Sequence, residues 1–250
     1  MTAVIETRGL GKRYGPRWAL AGCTLSVPAG SAVGLVGPNG AGKTTLLHLV
    51  TGLIAPTVGT IEVAGGRPAV SPAQLARVGF VAQDAPVYAG MSVADHLRLG
   101  ARLNPHWDAR VAAERIGRLG LDPRQKAGRL SGGQRAQLAL TLAVAKRPRL
   151  LVLDEPAASL DPLARRDFLT GLAEAAAAHQ VSVVLSSHLV ADLERTCDYL
   201  IVLAAGRVQL AGPVTDLLRA HRRQAGAQAG LEDLVLDVMS QAVPSREGAR

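Results

Sequence analysis

The chain has 250 residues, 48% of them apolar and 19% charged, with 28 Lys and Arg against 20 Asp and Glu for a formal net charge of +8. That length supports one substantial core, and the low charged fraction excludes a largely disordered chain. Cys23 and Cys197 stand alone, so neither metal spacing nor a disulfide framework is present, which fits a reducing compartment. No apolar run approaches the ~18 residues of a spanning helix, and the N-terminus has no apolar signal core. Basic balance leaves nucleic acid or an anionic surface open as partner. Aromatics are only 3%, however, and no basic run interleaves with them, so no specific nucleic-acid partner is expected.

In chain order, residues 4–10 read as a short strand. Cys23, Leu25 and Val27 alternate as in a half-buried strand. A turn at Pro28-Ala29-Gly30 leads to an apolar strand at 32–36 and then a Gly-rich loop. From Thr44 the period becomes helical, with Leu46, Leu47, Val50 and Leu53 on one face. Strands are expected at 60–63 and 78–82. Ser92 with Asp95 marks a helix start, and Pro105 follows its end. Asp108 caps a second helix carrying Val111, Ile116 and Leu119, and residues 134–146 form a third, stopped by Pro148. Sheet patterning returns at 150–153, 181–185 and 200–203, with an Ala-rich helix at 163–178 between the first two. Strand–helix–strand order predicts a parallel sheet with crossover helices. A hairpin strand is expected at 207–211. In the tail, Leu231, Leu234, Val235, Val238 and Met239 have helical spacing, so a short amphipathic helix packs on the body or on a partner. Residues 244–250 are expected to be disordered.

Gly37-Pro38-Asn39-Gly40-Ala41-Gly42-Lys43-Thr44 matches G-x-x-x-x-G-K-[ST] in full, between an apolar strand and a helix. A triphosphate is a dense anion. Glycines let backbone N–H groups approach it, and a helix N-terminus adds its positive dipole end. Lys43 reaches the terminal phosphates, and the Thr44 hydroxyl binds Mg²⁺, with Thr45 beside it in the first helical turn. Asp154 ends an apolar strand, at the edge where α/β proteins bind ligands, and holds Mg²⁺ through water. Glu155 points elsewhere, as a general base or positioner for attacking water. Within the helical stretch, Leu130-Ser131-Gly132-Gly133-Gln134 precedes a helix and offers a second set of N–H groups to an anion.

With these motifs in this order, the sequence resembles the ATP-binding subunit of an ATP-binding cassette (ABC) transporter over about residues 4–212. The resemblance implies an α/β fold: a P-loop NTPase core with a mainly parallel sheet, an N-terminal antiparallel β part and an inserted α-helical subdomain. The expected division is residues 1–84 and 148–212 for the core, 85–147 for the helical signature subdomain and 213–243 for the tail. It implies that Tyr14 stacks on adenine, that Gln83 touches Mg²⁺ and the water, that Asp161 in Ser159-Leu160-Asp161 lies in the loop crossing between subunits, and that His188 senses the γ-phosphate. Ser131, Gly132, Gly133 and Gln134 would serve the ATP held by a second cassette, a copy of this chain or a paralogue. Two cassettes would pack head to tail around two ATP and drive a separate transmembrane permease at the cytoplasmic face of the cell membrane. Residues 83–91 and the helical insert are the expected docking surface. Ala157-Ala158-Ser159 departs from the family, standing where Thr or Ser and Gly are frequent. The Trp107-Asp108 break and the Leu231-Glu232-Asp233-Leu234 segment resemble exporter-type cassettes of the drug and antibiotic-resistance group.

Two other functions compete. A soluble cassette ATPase acting on DNA or ribosomes would use the +8 charge, but no long coiled coil separates the motifs and one cassette is present rather than two. A nucleotide-binding regulator without turnover is opposed by Glu155 and His188.

Overall fold

Apolar runs and glycine punctuation dictate most of the elements. In the computed structural model, which describes residues 3–83, 87–226 and 228–242, strands β1 (Ala3–Tyr14), β2 (Arg17–Pro28) and β3 (Ala32–Val36) lead to helix α1 (Lys43–Thr51). β4 (Val58–Val63), α2 (Pro72–Ala76) and β5 (Val78–Val81) follow, then helices α3 (Val93–Leu103), α4 (Ala109–Arg118) and α5 (Gly132–Ala145). The second half alternates β6 (Leu150–Asp154), α6 (Pro162–His179), β7 (Ser182–Ser186), α7 (Val190–Glu194) and β8 (Tyr199–Ala204). It ends in β9 (Arg207–Pro213), α8 (Val214–Ala225) and α9 (Leu231–Ala242). The chain divides into two compact units: residues up to Pro68 together with those from Val184, and Ala69–Val183.

In the first unit β1 is the middle strand of an antiparallel sheet, order β2-β1-β4. Its register pairs Ile5 with Val27 on one side and with Val63 on the other. The hairpin turns at Gly15, whose φ of 56° suits a residue without Cβ. β3 lies parallel to β8, from Val33 opposite Tyr199 to Val36 opposite Val202, and β9 returns antiparallel to β8. β1 runs to Tyr14 rather than stopping at Leu10, because β4 pairs with it as far as Gly11 and β2 as far as Tyr14. The tail holds two helices rather than one. α8 escaped notice because its Arg- and His-rich sequence hides its apolar positions. α9 packs against α7, β8 and α8, with Leu231, Leu234 and Val235 buried, so its apolar stripe is covered by this chain.

In the second unit β5 and β6 are parallel, with Val78 opposite Leu150 and Val81 opposite Leu153. Every residue of β6 is buried, as its unbroken apolar run requires. The helices close on Val93, Ile116, Leu121, Ala127, Leu130 and Leu138. α3 begins with a capping box between Ser92 and Asp95, and Asp108 Oδ1 accepts from the Val111 amide at 3.0 Å to start α4. Trp107 folds back on α3: a Cβ at Gly100 would stand 2.5 Å from its ring. The two five-residue helices, α2 and α7, are too short for periodicity to reveal. Residues 244–250, expected to be disordered, lie outside the described residues, as do residues 84–86 of the expected docking surface.

Candidate functional site

The Gly-rich loop in the first unit is shaped by two close approaches. A Cβ on Gly37 would lie 2.1 Å from the Leu203 carbonyl oxygen, and one on Gly42 would lie 2.5 Å from that of Ala19. Gly42 also has φ 102°, which disfavours any side chain. The Ala41 amide donates to the Pro38 carbonyl at 3.1 Å, closing the turn, and the Ala41 carbonyl accepts from the Gly206 amide at 3.2 Å. Pro38, Asn39 and Gly40 are exposed at its tip. The first i→i−4 bond of α1 runs from the Leu46 amide to the Gly42 carbonyl. The amides of Lys43, Thr44 and Thr45 therefore precede the helical ladder, and the first turn carries no acidic residue to compete with an anion. Lys43 is buried, and its Nζ donates to the Gly37 carbonyl at 2.7 Å and the Pro38 carbonyl at 3.4 Å. The cation thus lies along the loop, within a side-chain swing of any phosphate seated there. Thr44 is exposed and Thr45 half-buried.

Elsewhere in this unit, Tyr14 ends β1, 51% exposed, with Lys12 Nζ 5.4 Å from its ring centroid. Trp18 on the facing strand is also exposed, with the Arg13 guanidinium 5.7 Å from its ring. The hairpin therefore presents two aromatic surfaces where the sequence reading chose one. His188 follows β7 and is exposed. Its segment is braced: the Leu189 amide donates to Ser187 Oγ at 3.0 Å, and the Ser187 amide to the Leu35 carbonyl at 3.3 Å. Ser186 Oγ is buried with no hydrogen-bond partner among the described residues, at the same strand end. Nothing in its sequence context singled it out.

The second unit holds the other residues. Asp154 is the last residue of β6 and is 4% exposed. Glu155 follows with φ 45°, a left-handed conformation that is strained for a non-glycine residue and swings its side chain off the strand's alternation. Parallel register brings Val81 opposite Leu153, so Gln83, exposed in the turn after β5, leaves the same sheet edge as Asp154 and Glu155. At α5, Ser131 Oγ accepts from the Gln134 amide at 3.2 Å while Gln134 Oε1 accepts from the Ser131 amide at 2.9 Å. This capping box leaves the Gly132 and Gly133 amides, in the first turn, outside the intrahelical ladder, and Ser131 keeps its hydroxyl proton to donate. A Cβ built on Gly132 would meet Leu160 at 3.7 Å, and one on Gly133 would meet Ala164 at 3.0 Å. The loop at 131–133 therefore sits beside Ser159, Leu160 and Asp161. Asp161 Oδ1 accepts from the Leu163 and Ala164 amides at 3.0 and 2.9 Å, capping α6.

Each unit carries hard oxygen donors of the kind Mg²⁺ takes: the Thr44 hydroxyl in the first, the Asp154 carboxylate and the Gln83 amide oxygen in the second. No group of three or more His, Cys, Asp or Glu gathers as a metal cage among the described residues. That also fits Mg²⁺, which takes few protein ligands and keeps phosphate oxygens and waters.

A family model described as ABC transporter matches residues 20–158. An aliphatic sulfonates import ATP-binding protein of Paraburkholderia xenovorans is 36% identical over 96% of this chain and 69% of its own length. A thiamine import ATP-binding protein of Salmonella typhimurium is 34% identical, over 85% of this chain and 92% of its own. An Fe(3+) ions import ATP-binding protein of Mesorhizobium japonicum is 36% identical over 85% of this chain, which spans 61% of that protein. Among solved structures, the ATP binding subunit of an ABC transporter superposes with a TM-score of 0.82 at 29% identity, covering 94% of this chain and 99% of that one. A nucleotide-free ATP-binding cassette gives a TM-score of 0.73 at 25% identity, covering 84% and 91%.

Proposed function

This chain belongs to the ABC transporter family as an ATP-binding subunit, and we propose that it hydrolyses ATP as one of two cassettes packed head to tail, driving a separate membrane-spanning permease. One observation carries this reading. The chain has a phosphate loop that leaves no room for a side chain at Gly37 and Gly42, and in its other unit a second helix N-terminus, at Gly132 and Gly133, suited to an anion. A single nucleotide site needs only the first. The second, set beside the Ser159-Leu160-Asp161 loop, suits the γ-phosphate of an ATP held by a partner cassette.

Each residue then has a task. Amides of residues 40–45 surround the phosphates, and Lys43 turns its ammonium from the Gly37 and Pro38 carbonyls towards them. Thr44, Gln83 and Asp154 hold Mg²⁺, which neutralises phosphate charge when bound. Glu155 orients and deprotonates the attacking water, and His188 contacts the γ-phosphate side. Tyr14 stacks on the adenine. Residues 131–134 and Asp161 act on the partner's nucleotide. Because each ATP binds the closed pair better than separate subunits, nucleotide binding shifts the assembly closed and hydrolysis releases it.

Residues 85–147 serve as the signature subdomain, and with residues 83–91 they dock the permease. No helix among the described residues is long and apolar enough to cross a membrane. In this reading the subunit works peripherally, at the cytoplasmic face of the membrane that holds the permease. The Leu231 segment and the Trp107-Asp108 break favour export, whereas the similar proteins named above bear import names. Trp107 also has a packing reason of its own, against Gly100. Cargo movement in vesicles that hold the chain together with its membrane-spanning partner decides the direction.

Glu155→Gln tests the core of the reading. This variant is expected to bind MgATP, to lose turnover and to run as a dimer in gel filtration with ATP but not ADP. Wild-type turnover in that variant would remove Glu155 from the chemistry. A variant that stays monomeric with ATP would remove the head-to-tail pair.

A further inference from the structure

Outside the nucleotide-facing loops, the second unit buries one cation among its helices. Arg115 of α4 is 9% exposed. Its Nη1 donates to the Gly171 carbonyl of α6 at 3.2 Å, its Nη2 to Gln137 Oε1 of α5 at 3.5 Å and its Nε to Thr141 Oγ1 of α5 at 3.4 Å. Gln137, itself buried, donates onward from Nε2 to the Asp167 carbonyl of α6 at 3.2 Å. Asp167 and Glu174 line the recess of about 230 Å³ beside this cluster. The hydrogen-bond partners of Arg115 are all neutral, while Glu174 attracts the guanidinium and Arg118 repels it through space. Burial accordingly lowers the guanidinium pKa.

Such an arrangement is a poor way to gain stability. Burying a charge with no carboxylate hydrogen-bonded to it is costly, and an apolar side chain of similar length fills such space more cheaply. Gly171 adds to the cost, since glycine inside a helix gives up more backbone entropy than alanine. Its missing Cβ leaves room, as a Cβ there would stand 3.6 Å from both Arg115 Nη2 and Gln137 Oε1. What the planar fork does supply is direction, because it bonds to two helices at once from fixed angles. Those helices are α5, which starts at Gly132, and α6, which Asp161 caps. At their N-terminal ends they approach through small residues, with Gly133 against Ala164. Small residues allow sliding. One to two turns further along, the Arg115 fork and the Gln137 bond to the Asp167 carbonyl tie the two helices together.

We infer that Arg115 is a positioning residue that holds α5 at a set angle to α6, so that Ser131, Gly132 and Gly133 present their donors together with the Ser159-Leu160-Asp161 loop to the partner cassette's nucleotide. This rests on the head-to-tail reading above. Arg115 does not touch nucleotide. Its removal therefore leaves ATP binding by the same chain's phosphate loop intact and impairs closure of the pair.

The test compares Glu155→Gln with Glu155→Gln/Arg115→Met, measuring melting temperature, fluorescent ATP-analogue binding at monomer concentrations and the ATP concentration for half-dimerisation. Unchanged melting and monomer affinity are expected, with half-dimerisation moved to about tenfold higher ATP, within the 0.5–2 kcal/mol range of mutations that act on coupling. Arg115→Lys restores the charge but not the fork and is expected not to rescue. Unchanged dimerisation in the Met variant, or full rescue by Lys, overturns the inference. Should Arg115→Met fail to fold, Gln137→Met removes the α5 acceptor and its bond to Asp167 and is read the same way. If the Glu155→Gln parent itself never dimerises with ATP, the head-to-tail reading fails, and this inference with it.

Discussion

Gly37 has no tolerance for a side chain, because the atom facing it is backbone. With the Leu203 carbonyl oxygen 2.1 Å from a built Cβ, Gly37→Ala must displace either the loop or the end of β8. Overpacking of this kind costs about 1–3 kcal/mol, and nucleotide titration should show weakened ATP binding alongside a lower melting temperature. Lys43→Ala separates the two effects: nucleotide affinity falls, while the bonds to the Gly37 and Pro38 carbonyls are lost without any overpacking. Unchanged affinity would contradict the phosphate-loop assignment. Burial pushes the Cys197 thiol up to about 12. The folded state then keeps a proton that the unfolded state gives up near the ordinary thiol value of 9.0. This contribution is complete below that value and is lost as pH rises through it towards the folded value. Alkylation of Cys197 in the native protein at pH 8 should accordingly be slow, and fast in denaturant.

Among the elements, α9 decides how the tail is understood. Its periodicity announced an amphipathic helix, and only packing shows that the stripe is spent inside this chain. Leu231 is fully buried, so Leu231→Ala should cost about 3 kcal/mol and lower the melting temperature by roughly 6–12 °C, given ~2–4 °C per kcal/mol at this size. An unshifted melting curve would mean that α9 detaches in solution. Caps were legible in advance: Ser92 with Asp95, and Asp108, both start helices by the pattern their side chains announce. The Asp108 carboxyl is held below its ordinary value, chiefly by the Val111 amide. Its contribution is therefore present above the unfolded carboxylate value and fades as pH falls through the lower folded one. The short helices and α8 were not legible, since five residues define no period and arginines blur one.

For the whole molecule, binding and folding are linked. MgATP at one hundred times its dissociation constant adds about 2.7 kcal/mol to a fold that binds one nucleotide. Thermal melting should then rise by roughly 5–10 °C, and Lys43→Ala should abolish the rise. A comparable rise in that variant would place the nucleotide elsewhere on the chain.

The sequence by itself determined the chemistry. A phosphate loop, a carboxylate after an apolar strand and a glycine-led helix are local patterns, because backbone amides, strand ends and helix N-termini are set by residues close in the chain. Tertiary structure decided what distant residues do to one another. It set Gly133 against Ala164 and made Gly37 irreplaceable through Leu203, a residue far along the chain. It gave Glu155 a left-handed backbone that no residue pattern announces. It also turned Arg115, an ordinary arginine on a helix in sequence, into a buried fork between two others. Such contacts depend on how elements pack, and packing joins residues whose spacing in the chain carries no signal.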